Sequence, residues 1–156
     1  MQFEYLEPKT IEEAVSQIEE YQDRAKVIAG GTDLLVQIRN KTIAPEYVVD
    51  IGGIAGIDYI RYDDKQGLTI GALTTIRSLE KSPVLQQRYP TISQAASQLG
   101  SVAIRNVGTI GGNLCNAAPS AETAPALIAL SAIAKIAGAD CERLVPLEDF
   151  FTGPGT

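Results

Sequence analysis

Two short stretches carry the residue types best suited to holding a ligand. One is Val27-Ile28-Ala29-Gly30-Gly31-Thr32-Asp33-Leu34-Leu35; the other is Val107-Gly108-Thr109-Ile110-Gly111-Gly112-Asn113. In each, an apolar, strand-like run meets adjacent glycines and then a Thr, Asp or Asn. Glycine has no Cβ, so the chain turns sharply there and a ligand can touch the main chain. Thr32 or Asp33 is then positioned to cap a short helix whose open N–H groups form an anion site. The chemistry expected is diphosphate recognition, and a ligand gripped by two such loops should be long, as a dinucleotide is.

Neither loop is a better-known phosphate signature. The first lacks the Lys-Ser/Thr ending of a P-loop, and no strand is followed by G-x-G-x-x-G. A lone Gly-Gly is more often just a tight turn. The ligand reading gains weight from the pairing of two such loops. It also draws on the polar groups between residues 104 and 126, which are Arg105, Asn106, Asn113, Asn116, Ser120 and Glu122, with Pro119 among them. Hydrogen-bonding groups spaced between apolar neighbours predict a lined pocket.

Other chemistries are excluded by composition. There is no histidine, which removes Ser-His-Asp triads, Cys-His pairs and histidine metal sites. The two cysteines, Cys115 and Cys141, cannot alone hold an iron–sulfur cluster or close a zinc site. They are expected as reduced thiols rather than a disulfide. No catalytic residue and no metal ligand is assigned, so redox activity would have to come from a bound organic cofactor. A formal charge of −6 offers no basic stripe for nucleic acid. The longest apolar runs are too short to span a bilayer. Met1-Gln2-Phe3-Glu4-Tyr5 does not read as a signal peptide, so a cytoplasmic location is expected.

The elements that must position the loops follow from pattern. At 156 residues, 45% of them apolar, the chain can bury one core or two small lobes sharing one. Thr10 and Glu13 form a capping box ahead of a helix over 10–22, with Ile11, Ala14, Val15 and Ile18 at helical spacing. Residues 26–29 read as a buried strand delivering the first glycine pair. Leu34, Leu35 and Ile38 then form the buried side of a short helix, and 47–50 reads as a second strand. This order predicts a small α/β lobe over 1–53 with some parallel pairing. A larger α+β lobe follows over 54–156. It begins with a hairpin from 58–62 and 68–72, continues through helices over 75–81 and 91–99, and has an alanine-rich helix over 121–130. Short strands over 132–137 and 143–145 complete it. The closing residues 150–156 read as loop, with Phe150 and Phe151 having nothing after them to pack on, as in a domain cut from a longer protein or a truncated product.

At this point a family resemblance emerges. VIAGGTDLL (27–35) and IRNVGTIGGNLCNAAPSAETAPALIAL (104–130) resemble the FAD-binding domain of molybdenum hydroxylases, the medium flavoprotein subunit of xanthine dehydrogenase and aerobic carbon monoxide dehydrogenase. The likeness runs from Tyr5 to Gly155. It implies an α+β, two-lobed PCMH-type fold like that of vanillyl-alcohol oxidase, with FAD as cofactor. A further C-terminal domain normally follows in that family. By position, Val27, Ile28, Ala29, Gly30, Gly31, Thr32, Asp33 and Leu34 would wrap the FAD, with the amides of 30–33 on the pyrophosphate. Thr109, Ile110, Gly111, Gly112 and Asn113 would form the opposing clamp. Leu99 falls where the family has a bulky residue packed on the cofactor, and Glu122 replaces a usual aspartate that hydrogen-bonds to it.

The resemblance further implies an electron-transfer role. Electrons would pass from iron–sulfur centres through FAD to NAD or another acceptor, beside an iron–sulfur small subunit and a molybdopterin large subunit. Other readings stay open: a stand-alone FAD-dependent oxidase of the same fold, a non-catalytic flavin-binding module, or a binder of phosphorylated metabolites using one loop. By periodicity alone Leu99 is a core residue. Glu122 could equally serve only the helix N-terminus. Arg105 reads either as a weak surface ion pair or as positive potential near the phosphates. Cys115 reads as a small buried hydrophobe or a pocket lining. Replacing Gly31 or Gly111 with valine is expected to abolish FAD retention and leave a folded apo-protein.

Overall fold

Three short parallel strands organise the amino-terminal third. The computed structural model describes residues 3–118, 121–139 and 141–153. Within these, β1 (Glu4–Leu6), β2 (Ala25–Ile28) and β3 (Tyr47–Asp50) form a sheet of order β1-β3-β2, parallel throughout. Consecutive residues of a strand face opposite sides, and both Val48 and Val49 are fully buried. Val49 packs with Ala14, Ala25 and Ile54; Val48 packs with Ile28 and Ile38. Helix α1 (Ile11–Tyr21) therefore covers one face and α2 (Leu34–Arg39) the other. A parallel sheet buried on both faces reads as a continuous apolar run, and Val48-Val49 is its trace.

Helix α1 starts where the capping box places it. The Thr10 hydroxyl accepts from the Glu13 amide at 3.1 Å. The Glu13 carboxylate reaches back to the Lys9 amide at 2.7 Å, one residue beyond the usual partner. Between β1 and β3, the Tyr5 hydroxyl donates to the Asp50 carboxylate. That bond is the main cause pushing the Tyr5 pKa up to about 12. Strand β1 has no counterpart among the expected elements. Its three residues are too few for a periodic signal, and pairing with β3 decides their conformation.

The rest of the chain packs around a second core. An antiparallel hairpin joins β4 (Ile60–Asp63) and β5 (Gly67–Ile70). Its turn is held by the Asp63 carboxylate, which accepts from the amides of Lys65 and Gln66. Three short helices follow: α3 (Ile76–Lys81), α4 (Pro83–Arg88) and α5 (Pro90–Gln98). Thr75 caps α3, and Ser82 caps α4 with Pro83 at its first position. Then come α6 (Val102–Val107), α7 (Ile110–Asn116) and α8 (Thr123–Ala129), an antiparallel pair β6 (Ile133–Ala137) and β7 (Glu142–Pro146), and α9 (Leu147–Phe150). Ile76, Leu79, Leu85, Ile92, Ala96, Ile110, Leu127 and Leu147 form the core.

Two expectations are corrected here. Phe150 and Phe151 do have something to pack on. Their rings meet edge to face, 5.3 Å between centroids, and both lie against the second core, reached by folding back through α9. Residues 107–113 are not an open loop either. Gly111 and Gly112 sit in the first turn of α7, because Thr109 supplies a cap and Ile110 buries itself in the core. The residues Pro154, Gly155 and Thr156, and the pocket residues Pro119 and Ser120, lie outside those described.

Candidate functional site

The first glycine loop leaves the end of β2 and turns into α2. Gly31 has φ +70°, a left-handed conformation that glycine adopts without strain. The loop's carbonyls are partly used: the Leu35 amide donates to Gly31 O, and the Gln37 amide to Asp33 O. Its amides are not. Among the described residues, the main-chain N–H groups of Gly30, Gly31, Thr32, Asp33 and Leu34 donate no hydrogen bond. A run of five open donors on a glycine turn is the form of an anion-binding nest. The expected cap is absent. Asp33 is helical in backbone and makes no capping bond, and its carboxylate lies beside the Thr32 hydroxyl at 3.2 Å.

The second glycine stretch is organised in the opposite way. Ile110 N donates to Thr74 O and Gly111 N to Ala72 O, both at 2.9 Å. Gly112 N donates to the Thr109 hydroxyl at 3.1 Å, and Asn113 N to Thr109 O at 2.9 Å. Four of the five residues expected to clamp a ligand through their amides thus have those amides bonded within the protein. The Asn113 side-chain oxygen is also occupied, accepting from the hydroxyl of the fully buried Thr123. The Thr109 amide alone has no acceptor among the described residues.

The two stretches nevertheless meet. A Cβ built on Gly30 would fall 2.1 Å from the Val107 carbonyl oxygen and 2.8 Å from Gly108 Cα, and one on Gly108 would fall 3.8 Å from the Thr32 hydroxyl. The end of α6 is therefore a wall directly behind the open-amide loop. Gly111 is equally confined, since a Cβ there would sit 2.8 Å from Ala72 O. A valine at Gly111 presses on backbone and tests the fold as much as any ligand, which revises the expectation of a folded apo-protein. At Gly31 the nearest atoms are the flexible tips of Ile28 and Leu35 at 3.1 Å, so the obstacle is the positive φ.

The remaining predicted residues occupy varied positions. Val27 is 43% exposed on β2, whereas Ile28 is buried beneath the loop with Leu34 against the same cluster. Ala29 lies in the bend that follows β2. Leu99 ends α5 and packs on the second core, as its periodicity implies. Glu122 precedes α8 without capping it and lines an open cleft of about 540 Å³ with Thr91, Gln94, Gln98 and Pro125. No residue of either glycine stretch lines that cleft. A second cavity, about 280 Å³ and apolar, lies among Ala117, Ala121, Ala124, Ile128 and Phe151.

Arg105 does form an ion pair, but a buried one rather than a weak surface one. It is 9% exposed, and its guanidinium donates to the Glu80 carboxylate and to the carbonyls of Leu99 and Gly100, each at 2.9 Å. Glu80 also receives Arg77 at 2.7 and 2.8 Å. The Arg77 hydrogen bond, with the charges of Arg77, Arg105 and Lys81, holds the Glu80 carboxyl below its usual range. Cys115 and Cys141 are both free thiols, and Cys115 is exposed rather than buried. Sequence reasoning passed over the 72–76 segment, whose carbonyls anchor α7 and whose Thr74 hydroxyl donates to Tyr59 O. Its only trace in the sequence is the Thr74-Thr75 pair ahead of a helix.

Comparison with known proteins agrees with this architecture. The family model described as "FAD binding domain in molybdopterin dehydrogenase" matches residues 1–156. The nicotinate dehydrogenase FAD-subunit of Eubacterium barkeri is 38% identical over 154 residues, covering 98% of this chain and 52% of that protein. The carbon monoxide dehydrogenase medium chain of Hydrogenophaga pseudoflava is 34% identical over 151 residues, covering 97% and 52%. The solved structure of carbon monoxide dehydrogenase from H. pseudoflava that lacks the Mo-pyranopterin moiety superposes with a TM-score of 0.96 at 33% identity, over 100% of this chain and 54% of that one. The chain thus spans about half the length of the curated relatives it matches. The mixed α/β fold is that of the corresponding part of carbon monoxide dehydrogenase, and the chain belongs to the family of FAD-binding domains of molybdopterin dehydrogenases.

Proposed function

We propose that this chain holds FAD as the electron-transfer flavoprotein part of a molybdopterin-containing dehydrogenase or hydroxylase. Bound FAD supplies a carrier that takes up electrons singly and releases them singly or in pairs. The residues of this chain do the holding. The amides of Gly30, Gly31, Thr32, Asp33 and Leu34 would receive the pyrophosphate, and the Thr109 amide and the Asn113 side chain would face it from α7. Neither stretch contains lysine, so main-chain dipoles rather than a counter-charge stabilise the anion. The observation carrying this reading is the run of five N–H groups without acceptors among the described residues, on a turn whose positive φ Gly31 adopts without strain.

In this reading the chain forms the two lobes of a PCMH-type fold, 1–53 and 54–156, with the loop at their junction. Iron–sulfur and molybdopterin subunits are the partners, NAD or another acceptor takes the electrons, and the complex works in the cytoplasm. No helix among the described residues is long and apolar enough to cross a membrane. Leu99 contributes through the core against which the site is built. Glu122 would reach the cofactor from the entrance of α8. The test is a visible spectrum of the purified protein after FAD addition and desalting. Retained flavin absorbance in stoichiometric amount is expected, and a colourless protein overturns the proposal.

A further inference from the structure

We infer that Arg105 is a positioning residue for the open-amide loop, an inference that rests on the FAD-binding function proposed above. Arg105 lies in α6, and one of its guanidinium nitrogens donates to both carbonyls of Leu99–Gly100, the turn that leads into that same helix. Gly100 holds this turn at φ +45°. The Nε of Arg105 is fixed to Glu80 near the end of α3, and Arg77 clamps the same carboxylate from one turn away. The start of α3 holds the other end of α6. Ile76 N donates to Gly108 O at 2.9 Å, and Thr75 pairs with Thr109. Helix α6 is thus fastened to α3 at both ends: Ser101 caps its first turn from within, and Arg105 ties the turn that leads into it to α3.

The consequence reaches the ligand loop through contact. Gly30 stands against Val107 O with no room for a single added carbon. Any tilt of α6 moves that carbonyl into or away from the Gly30–Leu34 turn and so shifts the backbone that carries the five open amides. Arg105 itself is buried, with Nε on Glu80 and Nη1 on the two carbonyls, so it acts on the anion through geometry rather than charge. Lysine cannot replace it, because a single ammonium lacks the planar fork that spans a carboxylate and two carbonyls at once.

FAD titration of the intact protein tests this with Arg105→Lys, the milder Glu80→Gln, and Leu85→Val as a control that loosens the same core away from the loop. Arg105→Lys is expected to weaken FAD binding about tenfold or more, since misplacements well under 1 Å degrade a preorganised site. Glu80→Gln should weaken it less, and Leu85→Val should leave it unchanged at a comparable loss of melting temperature. The dependence of FAD affinity on salt should be the same in wild type and Arg105→Lys. Unchanged FAD affinity in both Arg105→Lys and Glu80→Gln overturns the inference, as does an equal loss in Leu85→Val. A salt dependence that falls with Arg105→Lys would make Arg105 a direct phosphate contact and overturns it too. A wild-type protein that binds no FAD overturns the proposed function itself, a result separable from the others.

Discussion

The two glycine stretches share composition and differ in what their backbones do. At 30–34 the amides make no hydrogen bond to any described residue, whereas at 110–113 every amide is bonded to Ala72, Thr74 or Thr109. The glycines differ to match. Gly31 provides a conformation, Gly30 and Gly111 provide room for neighbouring backbone, and Gly112 continues a helix. One stretch leaves its donors open and the other spends them on holding α7 in place. Paired glycines are therefore not evidence of paired binding surfaces. The accounting of donors decides which is which.

Substitutions at these glycines should separate the two roles. The largest effects are expected for Gly30→Ala and Gly111→Val, which push a carbon into Val107 O and Ala72 O. Each should lose roughly 1–3 kcal/mol or more in urea unfolding, as overpacking against backbone does. FAD retention falls with them, but it should track the fold for Gly111→Val. Gly31→Ala is next. It should cost about 1–2 kcal/mol for an alanine forced to positive φ and should weaken FAD binding by more than that stability loss explains. Equal FAD affinity in Gly31→Ala and wild type would break the distinction between the stretches.

Smaller effects sharpen it. Thr109→Val removes the acceptor of the Gly112 amide and should cost about 1 kcal/mol, the usual value of a cap. Asp33→Ala should cost under about 0.5 kcal/mol, because its carboxylate caps nothing. A reversed order would mean that the first stretch, not the second, is the capped one. The Glu80 ion-pair cluster predicts a pH effect. Its folded pKa lies below the usual 4.5, so its stabilisation is fully present above that value and is lost as pH falls through the lower folded value. Wild type should exceed Glu80→Gln in stability at neutral pH, and the gap should close in acid, measured by thermal melts across that range.

How much of this was legible depended on whether the signal was local. The parallel lobe, the capped helix α1 and the 60–70 hairpin follow from Val48-Val49, Thr10 with Glu13, and Asp63 with Gly67, each a short-range pattern. The short helices α4, α6, α7 and α9 were not legible, because four to seven residues carry less than two full periods and tertiary contacts decide them. The meeting of Gly30 with Val107 joins residues 77 positions apart, and nothing in either local string announces it. The burial of Arg105 was missed for the same reason. Its partner Glu80 is 25 residues away, and only the fold shows that a charged residue in a ligand-like motif is buried in an internal clamp.

Residue-resolved amide hydrogen exchange, with and without saturating FAD, tests the central claim most directly. The amides of Ile110–Asn113 should be protected already in the apo-protein, and those of Gly30–Leu34 should exchange fast until FAD is added and then slow markedly. Fast exchange at Gly30–Leu34 in the presence of bound FAD would contradict the assignment of that loop to the pyrophosphate.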